Sequence, residues 1–277
     1  MTGFGPERTA NRWADRVAAA AGVVTIAGMI ATPLVPQRGQ ARRVLSSVVV
    51  ASMFATSTAN AVRRWGTRRS GGAAGATAVA TGVVERVGTR TGLPFGRYAY
   101  TDALRPQIAH VPVIVPLAWF GMGLPSREAA HAALGPHSTP ARRIALGSVA
   151  MTAWDLFLDP QMVGEGYWAW VKRGAYRGIP LSNFAGWFLT GLGIMALFEW
   201  LLPPARREPD VRLVGEYGYM SVMQTLGFAR YFRDPLVATV GGLGMIPIAL
   251  TAASRLVPGT NLSLSRSQRP HSNGGAR

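Results

Sequence analysis

The sequence predicts an all-α fold: a polytopic bundle of about seven transmembrane helices, one domain over residues 1–257 followed by a polar, disordered tail over 258–277. Three observations lead there. Long apolar runs free of charge recur along the 277 residues. Charged residues make up only 15% of the chain, against 48% hydrophobic. The basic residues behind the net charge of +16 gather in short clusters between the runs, as at Arg42-Arg43, Arg63-Arg64, Arg68-Arg69, Arg142-Arg143 and Arg206-Arg207. Such clusters fit loops resting on anionic lipid head groups better than a face that reads nucleic acid. The expected partner is therefore a lipid membrane and not a nucleic acid.

The runs at 17–35 and 44–62 contain no charged residue. At 1.5 Å per residue each rises about 28 Å, close to the thickness of the hydrocarbon core. The first is longer than a signal peptide's apolar region, and Pro36-Gln37-Arg38-Gly39 stands where a small-residue cleavage site would be, so it is read as a retained helix. The stretch at 70–82, SGGAAGATAVATG, has a linker's composition, yet small residues at helical spacing also let membrane helices approach closely, and 73–84 is counted as the third span. Runs at 108–124, 144–163, 181–202 and 235–254 complete the set. The basic residues divide almost evenly between the two sides, so the positive-inside rule fixes no orientation.

Two loops are dense in unusual residues. In 85–107, ERVGTRTGLPFGRYAYTDALRPQ, the helix is broken by Gly92, Pro94 and Gly96, after which Tyr98, Tyr100 and Asp102 alternate as on an extended strand or turn. The stretch 164–187 holds three of the eight tryptophans. Tyr167, Trp168 and Trp170 are read here as interfacial anchors, a role such rings play in membrane proteins of every function.

The fifth run, IALGSVAMTAWDLFLDPQMV, carries Asp155 and Asp159. Four residues apart on a helix, they share a face with Cβ atoms roughly 5–6 Å apart. Two like charges that close in low dielectric cannot both ionise cheaply, so one of the pair is expected to keep its proton. A structural alternative exists: Asp159 precedes Pro160 and would mark a helix end, while Asp155 pairs with an arginine.

Other chemistries find little support. Without cysteine there are no disulfides, thiol nucleophiles or cysteine-ligated metals. The histidines His110, His131, His137 and His271 lack metal-ligand spacing, and His110 is read as lying at a helix end. No phosphate-cradling loop, dinucleotide fingerprint or GxSxG elbow is present, so no metal or cofactor is expected. Carboxylic acids, aromatic rings and a lipid setting remain. That set suits acid-catalysed addition to an alkene: a neutral carboxyl protonates the double bond, ring faces stabilise the carbocation, and a carboxylate directs water onto it.

The segments GLPFGRYAYTDALRPQIAHVPVIVPLAW, AWDLFLDPQMVGEGYWAW and GIPLSNFAGW occur in that order over roughly residues 80–200. Together they resemble the integral-membrane carotenoid biosynthesis family that includes the CruF-type carotenoid hydratases and the archaeal bisanhydrobacterioruberin hydratase. The resemblance implies hydration of the terminal C1,C2 double bond at the ψ-end of a linear carotenoid, without a cofactor, in the cell membrane, in possible contact with other enzymes of carotenoid biosynthesis.

The positions matching the motifs are Glu85, Tyr98, Tyr100, Asp155, Asp159, Trp170, Asn183 and Trp187. Roles follow from chemistry. Asp155, flanked by Trp154 and Phe157, is expected to donate the proton, because an apolar setting tolerates the neutral acid; Asp159 or Glu85 orients water. Tyr98, Tyr100, Trp154 and Trp187 are expected to bind substrate near the cation, and Asn183 to hold the water or the new hydroxyl. Glu199 and Glu216 fall outside the motifs and are expected to be structural. Two other readings stay open, a different membrane isoprenoid-modifying enzyme and a non-enzymatic transporter or scaffold. A prenyl-diphosphate enzyme should carry an Asp-rich magnesium motif such as DDxxD, and none occurs.

Overall fold

The computed structural model describes residues 6–204 and 208–256; the predicted tail and the Arg206-Arg207 cluster lie outside them. The described residues form seven α-helices: α1 (Pro6–Ala31), α2 (Gln40–Thr91), α3 (Ile114–Leu134), α4 (Pro140–Glu165), α5 (Leu181–Leu201), α6 (Val211–Arg230) and α7 (Pro235–Leu256). Four short strands sit in the loops: β1 (Tyr98–Tyr100), β2 (Gln107–Ile108), β3 (Val111–Pro112) and β4 (Trp168–Trp170). The architecture is the predicted all-α bundle. Four helices, in α1, α2, α5 and α7, are long and apolar enough to cross a membrane by length and composition.

Helix α2 is two legs, 40–65 and 67–91, meeting at Gly66, whose φ of 80° and ψ of 162° leave the helical region at the one residue type that adopts them without strain. The outer ends of both legs lie at one end of the bundle: Arg42 pairs with Glu165 at the end of α4, and Glu85 meets the tyrosines of β1. At the other end, the Trp65 indole N–H donates to the carbonyl of Pro203, just past α5. The runs predicted at 44–62 and 73–84 are therefore two antiparallel legs. The small-residue stretch 70–82 is helix, not linker. Its buried stripe of Ser70, Ala73, Ala74, Thr77 and Thr81 continues at helical spacing to Glu85 and Gly88, so the face that packs on neighbouring helices is the face that carries the carboxyl inward.

Both boundaries of the run at 108–124 move, and one helix is added. The run at 108–124 begins as a β2–β3 hairpin whose turn places Ala109 and His110 at φ of 50° and 66°; His110 is in that turn, and α3 starts six residues later than the apolar run. Helix α3 then continues through Pro125 to Leu134, burying Arg127 and Glu128 as an ion pair that caps neighbouring chain ends: Arg127 Nη1 donates to the carbonyls of Phe198 and Leu202, and Glu128 accepts from the backbone N–H of Asp210. Helix α6 had no counterpart among the apolar runs. It is amphipathic, with Arg212 and Glu216 interrupting the run while Leu213, Val214, Tyr217, Met220, Ser221, Gln224 and Phe228 form one buried stripe.

Helix α4 does not end at Asp159. It runs through Pro160 to Glu165 and closes on Gly166 at a φ of 73°. Proline cannot supply the N–H that would bond the Leu156 carbonyl. The Tyr176 hydroxyl supplies it instead, at 2.8 Å. Asp159 thus sits inside a continued helix, and the end-marking alternative falls.

Candidate active site

The C-terminal ends of α2 and α4, the N-terminal ends of α3 and α5, and the β1–β4 ribbon converge at one end of the bundle. β1 and β4 pair antiparallel, with Tyr98 opposite Trp170, Ala99 opposite Ala169 and Tyr100 opposite Trp168. Side chains alternate across a strand, so the four aromatic rings share one face and the two alanines are exposed on the other. The ribbon is held to the helices by Phe95, which wedges between α2 and α5: a Cβ on Gly88 would stand 2.9 Å from its ring, and one on Gly186 would stand 2.7 Å from it.

Beneath the ribbon lies a cavity of about 50 Å³, room for a few water molecules. Its polar wall is Glu85, Asp159, Asn183 and the two tyrosines, and its remaining wall is almost wholly aromatic and aliphatic. Glu85 Oε2 accepts from the hydroxyls of both Tyr98 and Tyr100, the latter at 2.7 Å. Burial and the neighbouring Glu85 carboxylate hold both phenols well above their ordinary range, so they remain donors. Asn183 Nδ2 donates to Asp155 Oδ2 at 2.8 Å and to Asp159 Oδ2 at 2.5 Å, one amide clamping both carboxyls. The second oxygen of Asp159 accepts from the Trp168 indole N–H at 3.0 Å. Asp155 Oδ1 is buried without a hydrogen-bond partner among the described residues.

The predicted residues therefore gather in one place, with differences of position. Glu85, Asp159, Tyr98, Tyr100, Asn183 and Trp187 line the cavity, as does Trp170. Asp155 is fully buried one layer behind, reached through Asn183. Trp154 also stands behind, with its ring edge-on to Trp187 at 6.2 Å. Glu199 forms a bidentate pair with Arg143 away from the site, and Glu216 accepts from the Ser57 hydroxyl.

Ring residues beyond those foreseen also belong to the site. Trp168, read as an interfacial anchor, is 8% exposed and bonded to Asp159. Trp119, in the apolar start of α3, stacks on Trp187 at 4.2 Å with the planes 17° apart. The matched triplets Tyr98-Ala99-Tyr100 and Trp168-Ala169-Trp170 signal the first: two aromatic-Ala-aromatic repeats that pair present all four rings together. Nothing in the run around Trp119 separates it from a core tryptophan.

A family model described as "Carotenoid biosynthesis protein" matches residues 39–254. Among curated proteins the chain is similar to a bisanhydrobacterioruberin hydratase of Haloarcula japonica, 34% identical over 120 residues. That alignment covers 42% of this chain and 40% of the relative, so the chain spans well under half the length of the protein it matches. No solved structure matches it.

Proposed function

The chain belongs to the carotenoid biosynthesis protein family, and on that premise we propose that it is a cofactor-independent carotenoid hydratase of the cell membrane, adding water across the terminal C1,C2 double bond of a linear carotenoid. The curated relative is named a hydratase, which supports the reaction class. The observation that carries the reading is the cavity, where Glu85 and Asp159, the cavity-lining member of an amide-clamped acid pair, face aromatic rings with space for water between them.

The carboxyls divide the work by position. Two acids held by one amide in a water-poor site reduce their mutual repulsion by sharing a proton. Asp159 is the member of that pair on the cavity wall, so it delivers the proton to C2 of the end group; the sequence alone had favoured Asp155. Protonation at C2 leaves a tertiary cation at C1. The ring faces of Tyr98, Trp170 and Trp187 stabilise it more than bulk water would allow in so small a space. Glu85, fixed by two phenol donors, orients a water, takes its proton as the oxygen bonds to C1, and leaves a tertiary alcohol. The proton that Glu85 takes from the water returns across the cavity that Glu85 and Asp159 both line, restoring the proton shared by the Asp155–Asp159 pair. Atoms balance as alkene plus water, with no electron transferred and no redox partner required.

The test is expression in a lycopene-accumulating bacterium, with pigments resolved by chromatography and mass spectrometry. A product heavier by one water supports the reading. Unchanged pigment from membranes that contain the folded protein overturns it.

A further inference from the structure

We infer that the long apolar chain of the substrate lies in a second, larger groove between α1, α2, α4 and α6, entering sideways from the bilayer with its end group pointed at the acid cavity. The inference rests on the hydratase reading for the identity of that end group, and on the structure for the path.

The groove has a volume of about 390 Å³. It shares Val50, Ile114, Leu158 and Met162 with the acid cavity, so one set of aliphatic and thioether side chains is the wall of both. Rotamer changes in such side chains are cheap, and no ion pair has to break for the two spaces to join. No charged side chain belongs to the groove's described lining. At its outer edge Ile30, Leu226 and Tyr231 are 52%, 57% and 58% exposed, an opening between α1 and α6 at the lipid-facing surface.

The lining chemistry fits a long polyene. Met29, Met53, Met162, Met220 and Met223 line the groove, five of the chain's ten methionines. Their thioethers are flexible and polarisable, and make favourable contacts with π systems. Trp154 lies on the groove side of Trp187, which explains why a residue expected at the substrate stands behind the acid cavity: it faces the chain, not the reacting end. A polyene too long for the acid cavity requires a second apolar space continuous with it, and this groove meets that requirement among the described residues.

The experiment titrates lycopene into purified protein and reads the induced circular dichroism of the polyene band, which appears only when the chain is held in a chiral site. Wild type and Asp159→Asn are expected to give the same saturable signal, because the acid is not needed for the chain to bind. Met223→Trp fills the groove and Leu226→Trp blocks its mouth; each is expected to weaken half-saturation at least tenfold. Leu226 is exposed, so its replacement disturbs no packed core, and matched thermal melting confirms folding. Wild-type-like binding by both plugged variants overturns the inference, as does a wild type with no saturable signal, the outcome expected if a membrane lipid occupies the groove. Saturable binding without any hydrated product in cells would leave the groove standing and remove the hydratase reading.

Discussion

Asp159→Asn separates catalysis from architecture more cleanly than any other change in the site. The replacement is isosteric. Its amide oxygen can still accept from the Trp168 indole N–H, now at 3.0 Å from Asp159 Oδ1. Its amide nitrogen, however, would face Asn183 Nδ2, which stands 2.5 Å from Asp159 Oδ2. Two donors cannot bond, so Asn183 must turn its amide or surrender that bond, at a cost of about 1 kcal/mol of stability. Loss of a positioned general acid costs about 10²–10⁴-fold in rate, which is about 2.7–5.4 kcal/mol of barrier. The activity loss should therefore exceed the stability loss several-fold in energy. The assay is the initial rate of hydrated product in membranes at equal protein, with thermal melting in parallel. Asp155→Asn serves as the comparison: it should slow turnover less, because Asp155 reaches the cavity only through Asn183. Near-normal rates for Asp159→Asn, or a deeper loss for Asp155→Asn, would refute the assignment of the donor by position.

Three further outcomes are expected. Product formed in heavy-oxygen water should carry the label in its hydroxyl, and product formed in deuterated water should carry one non-exchangeable deuterium at C2; label in the hydroxyl without deuterium at C2 excludes simple hydration. Arg127→Ala should destabilise the fold by about 3–5 kcal/mol, read by thermal or denaturant melting, because it leaves Glu128 buried without its cation and frees the carbonyls of Phe198 and Leu202. The protein should remain in the membrane pellet through high salt and alkaline wash, since the apolar helices hold it where stripping charged loops from head groups cannot release it.

How far the site was legible depended on which physical signal each residue leaves. Asp155 and Asp159 were legible because an acid in an apolar run is costly and the four-residue spacing fixes a shared face. The alternation of Tyr98, Tyr100 and Asp102 left a strand or a turn open, and the structure forms a strand over Tyr98–Tyr100 with Asp102 beyond it. The partner strand was not legible, because Trp168 and Trp170 have a second common explanation at head-group depth. Only the pairing of one triplet with the other decides between the two. The two legs of α2 were legible as separate apolar runs because charged residues interrupt them, whereas α6 escaped because its apolar residues are a stripe and not a run.

The alternative of a helix end at Pro160 shows where local rules stop. Proline after Asp159 argues for a helix end if the preceding turn must satisfy its own hydrogen bonds. The Tyr176 hydroxyl, sixteen residues beyond Pro160, takes over the Leu156 carbonyl, and the helix continues past the acid. In a membrane that substitution matters twice, since a freed carbonyl there has no water to bond. It also decides the chemistry: had α4 stopped at Asp159, the carboxyl would sit at a frayed, hydrated end. Because the helix continues, Asp159 is held between the Trp168 indole and the Asn183 amide, aimed at a cavity of about 50 Å³ rather than at bulk solvent. A loop tyrosine outside the cavity wall is thereby one reason an acid pair placed by helical spacing can stand at the cavity where the proposed protonation would take place.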